Sequence, residues 1–270
     1  AIKLARKHGG RGRHTVVSAL GSFHGRTLAT LAATGQPAKH EPFAPMPEGF
    51  RHVAWGDLDA MRQAVDGTVA AVLIEPIQGE GGVQPATVEY LQGIRELCDE
   101  TGALMMIDEI QTGFARTGTW FGFEHAGVSP DVVTLAKAMG NGMPISALVG
   151  RKDILNLCSD VFLSSTFGGE TLSIAASLAV IDKIERENVI EKLWNTGNQI
   201  STAIHTICAE LGFSSTVTVK GKSPWTLLEY KAYESVPGDA LKAFVLYELR
   251  KLGVLSLGTN NICFAHGPNE

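Results

Sequence analysis

Five short apolar runs mark the first 150 residues, each separated from the next by polar or helically patterned chain. HTVVSAL (His14–Leu20), VAAVLIE (Val69–Glu75), ALMMID (Ala103–Asp108), VVTLA (Val132–Ala136) and ISALVG (Ile145–Gly150) are predicted to be buried strands. Between the second and third, Val88, Leu91, Ile94, Leu97 and Cys98 recur at helical spacing, with Gly102 as the stop. Strands alternating with helices predict a mostly parallel α/β sheet flanked by helices. The opening AIKLARK has the spacing of an amphipathic helix whose start would lie upstream, so the chain is expected to be a fragment.

Beyond Gly150 the pattern changes. Residues 171–211 are nearly all helical in character, with Ile174, Leu178, Ile181 and Ile184 spaced to face one core. A strand is expected at WTLLEY (Trp225–Tyr230). A helix should then run from an Asp239 N-cap to Gly253, with Leu241, Phe244, Val245, Leu249 and Leu252 inward. Residues 254–270 have the look of an edge strand. There is no repeat and no low-complexity linker. The expected organisation is a large α/β domain over residues 1–185, followed by a helical connection and part of a smaller α+β domain over 186–270.

Composition narrows the chemistry. With 270 residues, 44% hydrophobic and 19% charged, the chain can bury one large core or two domains. A net charge of −5 without a basic, aromatic-interleaved stripe argues against a nucleic-acid partner. LSIAASLAVI (Leu172–Ile181), the longest apolar stretch, is too short and too serine-rich for a membrane span. Cys98, Cys158, Cys208 and Cys263 are widely spaced, which argues against a zinc site or disulfide framework and for a cytoplasmic setting. No acidic residue precedes Glu41, as in organelle transit peptides, but the interrupted-helix reading accounts for that segment better.

Ligands of open α/β sheets bind at the carboxyl ends of strands. Glu75, Asp108 and Lys137 fall at such ends, and an acid and a lysine meeting there can form an ion pair, a metal or nucleotide site, or a covalent cofactor site. LMMIDE resembles a Walker B strand and GKS occurs at Gly221–Ser223. The phosphate loop would, however, need glycine where Thr216 stands, and Pro224 follows where its helix should start. GNGMPI (Gly140–Ile145) lacks the third dinucleotide-binding glycine and contains Pro144, and no G-x-S-x-G elbow is present. A Schiff-base lysine for pyridoxal phosphate remains. Such a lysine needs desolvation to be neutral and nucleophilic, and the ring nitrogen needs a carboxylate. Asp108 could supply that carboxylate, Gln111 a donor to the phenolic oxygen, and Ile110 an apolar contact to one ring face.

SFHGRT (Ser22–Thr27), EPIQGEGG (Glu75–Gly82), DEIQTGFARTG (Asp108–Gly118), PDVVTLAKAMGNGMPI (Pro130–Ile145) and STFGGE (Ser165–Glu170) occur in that order. Together they resemble the class III pyridoxal-phosphate-dependent aminotransferases, in the first half those acting on acetylornithine and ornithine. The resemblance implies a fold-type-I enzyme, normally a homodimer with its site at the subunit interface. It implies Lys137 as the Schiff-base lysine that shuttles the proton, Asp108 at the pyridine nitrogen and Gln111 at the phenolic oxygen. Phe23 would stack on the ring face opposite Ile110, and Thr166 would contact the phosphate in the partner subunit. Arg26 would clamp a substrate carboxylate, and Glu80 would be the gating acid that pairs with a C-terminal arginine. Plainer readings stand beside these. Phe23 could be core and Thr166 a turn hydroxyl; His24 is expected to be a packing or hydrogen-bonding neighbour rather than an acid/base catalyst, Glu75 a strand-end residue with a structural partner, and Arg116 structural.

Family chains extend further at both ends, where a phosphate-gripping loop and the gating arginine normally lie. From about Ala138 onward AMGNGMPISALVGRKDI, FLSSTFGGETLSIAAS and LGTNNICFAH are more similar to glutamate-1-semialdehyde-aminomutase-like members, and Glu170 stands where ornithine-type members usually carry asparagine. The expected reaction is transfer of an amino group from an N-acetylornithine- or ornithine-like donor to a 2-oxo acid such as 2-oxoglutarate. The alternatives are an aminomutase and an inactive fragment; no metal is expected.

Overall fold

Six strands form the main sheet of the computed structural model, which describes residues 1–161 and 163–267. They are β1 (Thr15–Ala19), β2 (Phe50–Val53), β3 (Val69–Ile74), β4 (Leu104–Asp108), β5 (Val132–Leu135) and β6 (Ala147–Gly150). Their spatial order is β2-β1-β3-β4-β5-β6. All neighbours pair in parallel except β5 and β6, which are antiparallel. Every residue of β1, β3 and β4 is buried, which is why these strands read as unbroken apolar runs. The edge strand β2, FRHV, escapes that pattern because only Val53 is buried in it.

Successive strand residues point to opposite faces, and the sheet uses both. Val16, Leu73 and Met106 pack on α1 (Ile2–Gly9) through Leu4 and Ala5. Val17, Val72, Met105 and Ile107 pack on α3 (Leu58–Ala64) and α4 (Val88–Thr101) through Met61, Leu91, Ile94 and Leu97, whereas α2 (Leu28–Ala33) follows the loop after β1. Thr87 caps α4 by accepting from the Tyr90 N–H at 3.1 Å, and Gly102 ends it at φ +69°. Val88, expected on the buried stripe, is the first residue of the helix and is exposed. The chain steps from β1 to β2 on one side, then to β3, β4 and β5 on the other. This reversal leaves a crevice at the strands' carboxyl ends.

The remainder comprises α5 (Thr171–Arg186), α6 (Val189–Glu210) and an antiparallel sheet. Its strands β7 (Val217–Lys222), β8 (Trp225–Tyr230) and β9 (Thr259–Asn261) are ordered β9-β8-β7, and α7 (Gly238–Lys251) lies between β8 and β9 in sequence. Periodicity located these helices but overstated their burial. Ile184 is buried beside Val189 and Leu193, while Ile174 and Leu178 are exposed. No residue of α7 is buried; Phe244 and Leu252 are exposed, Pro237 is the N-cap, and Asp239 makes no cap bond. Periodicity shows which positions share a face, and burial requires a neighbour to cover it. The expected terminal edge strand is limited to three residues, and its Pro268–Glu270 end lies outside the described residues, as does Phe162.

Asp131 sets the position of β5. Its Oδ2 accepts the Met105 N–H of β4 at 2.8 Å and Arg95 Nη1 at 2.9 Å, and its Oδ1 accepts Arg151 Nη1 at 2.7 Å. Burial works against the carboxylate, but the donors, led by Arg151, hold it below the ordinary aspartate range. Its stabilisation is therefore present above that range and lost as pH falls through the lower folded value. Asp131→Asn should destabilise the fold at neutral pH, and urea unfolding should show the difference from the parent shrinking as pH drops below about 4.

Candidate functional site

Three loops at the carboxyl edge of the sheet converge. The first leaves β1 through Gly21 and Gly25, both at positive φ, and carries Phe23 and His24. The His24 N–H donates to Thr34 Oγ1 at 2.9 Å, and the Phe23 N–H donates to Glu75 Oε2 at 3.1 Å. Glu75, just past β3, thus has the structural partner expected of it and holds the Phe23 backbone. Burial, with Asp108 adding to it, pushes the Glu75 carboxyl up to about 7.

Asp108 ends β4. Its Oδ2 accepts from His24 Nδ1 at 2.8 Å, and its Oδ1 accepts from the Ile110 N–H at 3.1 Å and from Thr134 Oγ1 at 3.3 Å. His24 is a hydrogen-bonding neighbour, as expected, and its Nε2 is buried without a partner in the described chain. Lys137 follows β5 at φ +45°, a conformation uncommon for a side chain with a Cβ, and its carbonyl accepts the Gly140 and Asn141 N–H groups at 3.1 Å. Burial lowers the Lys137 ammonium below its ordinary value, against the opposing pull of Asp108, Glu80 and Glu75.

Phe23, Glu75, Asp108, Ile110, Gln111 and Lys137 line a cavity of about 130 Å³. Gln111 and Lys137 also line a larger cavity of about 960 Å³, bounded further by Glu80, Arg116, Trp225 and Lys242. The Gln111 amide makes no hydrogen bond within the described residues, so its donor is available to a ligand. Gly79 is required beside it: a Cβ there would lie 2.0 Å from Gln111 Oε1 and 2.9 Å from the Trp225 ring. An acceptor carboxylate, an unengaged amide, a half-buried amine and apolar walls from Phe23 and Ile110 fit the ring and aldehyde of pyridoxal phosphate.

Other expected residues stand apart. Arg26 is exposed, its guanidinium 5.9 Å from the Phe23 ring centre, and it lines neither cavity. Thr166 is exposed and also lines neither. Glu80 pairs with Lys39 at 3.7 Å, and the same Lys39 Nζ lies 4.8 Å from the Phe23 ring centre. Arg116 ties loop to small sheet through Nη1, which donates to the Ile262 carbonyl at 2.7 Å and the Pro224 carbonyl at 3.4 Å. Sequence reasoning missed Thr134, Lys39, Trp225 and Lys242. Only Thr134 carried a signal, as the lone hydroxyl in VVTL; the others arrive from distant segments.

The description "Aminotransferase class-III" fits residues 1–266. The acetylornithine aminotransferase of Gloeobacter violaceus is 48% identical over 208 residues, covering 76% of this chain and 52% of that protein. That of Methanocaldococcus jannaschii is 38% identical over 250 residues, covering 91% and 63%. Among solved structures, ornithine aminotransferase from Toxoplasma gondii superposes with a TM-score of 0.85 at 29% identity, covering 94% of this chain and 61% of that one. An omega-transaminase from Thermomicrobium roseum gives 0.87 at 25% identity, covering 99% and 68%. The chain spans about half the length of the curated relatives it matches.

Glu75 offers a test of the site's electrostatics. Its folded value lies above the ordinary one, so the neutral form is favoured by folding and stability declines as pH rises from about 4.5 to about 7. Glu75→Gln should remove that decline, as followed by denaturant unfolding across the same window.

Proposed function

The chain belongs to the class-III aminotransferase family, and from that premise we propose that it transfers an amino group with pyridoxal 5′-phosphate as cofactor. The donor would be amino-acid-like, of the N-acetylornithine or ornithine type, and the acceptor a 2-oxo acid such as 2-oxoglutarate. The observation that carries this reading is the convergence of Lys137, Asp108 and Gln111 on one cavity at the carboxyl edge of the sheet. The relatives named acetylornithine aminotransferase support the donor class. A second structure of the Toxoplasma gondii enzyme, described with partial pyridoxal phosphate occupancy, supports the cofactor. A homodimer in the cytoplasm belongs to the same proposal, with Thr166 contacting the partner's phosphate, Arg26 a substrate carboxylate, and Glu80 as the gating acid.

When bound, the cofactor supplies a conjugated ring that accepts the electron pair left on the reacting carbon. Lys137 would hold it through Nζ, Asp108 would face its ring nitrogen, and Gln111 its phenolic oxygen. Asp108 is oriented for that task by His24, Ile110 and Thr134, whose donors fix both carboxylate oxygens. Burial shifts Lys137 toward the neutral amine, whose Nζ could take the proton from the amine-bearing carbon of the donor and would pass it to the cofactor. Phe23 and Ile110 exclude water from the walls.

The aminomutase alternative loses one of its motives. Glu170 caps α5 by accepting the Leu172 and Ser173 N–H groups, both at 2.7 Å, a role that asparagine also fills. Glutamate at this position therefore has a structural reason.

Mixing the chain with pyridoxal phosphate should produce a visible absorbance band that Lys137→Ala abolishes. Asp108→Ala should reduce turnover by a factor on the order of 100 or more. Turnover of the donor should stop when the oxo acid is omitted. A band retained by Lys137→Ala would rule out the cofactor assignment.

A further inference from the structure

Gln111 carries a polar side chain that no hydrogen bond directs. Its amide makes none within the described residues, so packing must set where it points. Gly79 shows what packs there. A Cβ on Gly79 would meet Gln111 Oε1 at 2.0 Å and Trp225 Cη2 at 2.9 Å, so the amide oxygen and the indole ring share the space of the absent side chain. Trp225 is buried and clusters with Ile77 and Val83 of the segment after β3, on either side of Gly79 in the chain.

The loop that carries Gln111 is also fastened to the strand that carries Trp225. Arg116 Nη1 donates to the Pro224 carbonyl, one residue before Trp225, at 3.4 Å and to the Ile262 carbonyl at 2.7 Å. The Ile262 N–H donates to the same Pro224 carbonyl at 3.1 Å, and Trp225 pairs with Asn261 across β8 and β9. Two residues beyond Arg116, the Gly118 carbonyl accepts Trp194 Nε1 of α6 at 2.9 Å. Inside the loop, Glu109 accepts the Gly122 and Phe123 N–H groups, each at 2.9 Å, and the Thr112 hydroxyl. Phe114 and Ala115 are buried at φ +56° and +68°. Left-handed backbone at residues with a Cβ persists only where its surroundings over-determine it, and the bonds of Glu109, Arg116 and Gly118 do so. A closed circuit results, from Gln111 through Gly79, Trp225, Pro224 and Arg116 back along the loop.

We propose that Trp225, seated by Arg116, is the positioning residue for the Gln111 amide, fixing it by packing between the two cavities. A side chain fixed in this way loses its rotamer freedom on folding rather than when a ligand arrives. Resting on the aminotransferase reading, the ligand atom it meets is the cofactor's phenolic oxygen. The small sheet then decides how well that donor is aimed, although Gln111 belongs to the main sheet's edge. Because Trp225 acts through Gln111, changing Trp225 should matter only while Gln111 is present.

The contact is read first in the cofactor-free chain by nitrogen-15 NMR. The Gln111 side-chain amide pair is the one missing from Gln111→Ala. It should move on Trp225→Leu, which removes the indole ring current, and on Arg116→Met, which releases Pro224. Lys242→Met, on the wall of the same cavity, should leave it in place. Thermal midpoints show whether each variant folds, and Trp225→Phe, whose shorter ring falls short of Gly79, replaces Trp225→Leu if that variant does not. A pair unmoved by the Trp225 change overturns the proposal, and one unmoved by Arg116→Met overturns the part given to Arg116. Pyridoxal phosphate, titrated by its visible band, supplies the second readout. Gln111→Ala should weaken its affinity about tenfold, the worth of one hydrogen bond to a charged oxygen. Trp225→Leu should lose part of that factor in the parent and nothing further in the Gln111→Ala background. Equal losses in both backgrounds mark a general structural effect and overturn the proposal. No band from the parent defeats the aminotransferase reading, and the amide pair still decides the seating of Gln111. A parent band abolished by Lys137→Ala, with an unmoved amide pair, defeats the seating alone.

Discussion

The carboxylate of Asp108 joins three strand ends that are far apart in sequence. One oxygen accepts a hydrogen bond from His24 Nδ1 in the loop after β1; the other accepts from the Ile110 N–H of its own turn and from the Thr134 hydroxyl of β5. A carboxylate accepts only, so a buried one must be surrounded by donors, and these come from elements the sheet alone can bring together. Lys137 depends on the same arrangement, since Asp108 is the strongest of the acids opposing the loss of its charge. The neighbouring strand β5 is held independently, by Asp131 at its amino end, so both ends of the strand that delivers Lys137 are tied to β4.

Charge is distributed unevenly around this centre. The small cavity is acidic, with Asp108 and Glu75 side by side, and the second of these is pushed toward the neutral form. The larger cavity is cationic, with Arg116 and Lys242 unpaired among the described residues. Lys137 and Gln111 stand on the boundary and face both. Gly79 has no side chain because its backbone passes against Gln111 and Trp225 where the two cavities adjoin.

Much of the main sheet was legible because its central strands β1, β3 and β4 are buried on both faces, whereas β6, also expected to be buried, has no buried residue. Five of its six strands appeared as apolar runs, and β2 did not because Arg51 and His52 interrupt it at the sheet edge. Strand-end residues were legible for the same reason: Glu75, Asp108 and Lys137 are the first polar groups after long apolar runs or just beyond them. Burial in the later elements was not legible. Ile174, Leu178 and Phe244 have the right spacing for a core and face solvent in the described chain.

The sequence by itself determined the α/β architecture, the family and the residue types available for chemistry, since these follow from periodicity and from motifs that are local in the chain. It also placed Lys137 and Asp108 at strand ends. The tertiary structure decided what those residues touch. It brought His24 and Thr134 to Asp108, set Lys39 on Glu80, kept Arg26 and Thr166 off both cavities, and faced Arg116 and Lys242 across a shared space. Contacts of that kind join residues tens to more than a hundred positions apart, and chain spacing carries no information about them until strand order and register are fixed.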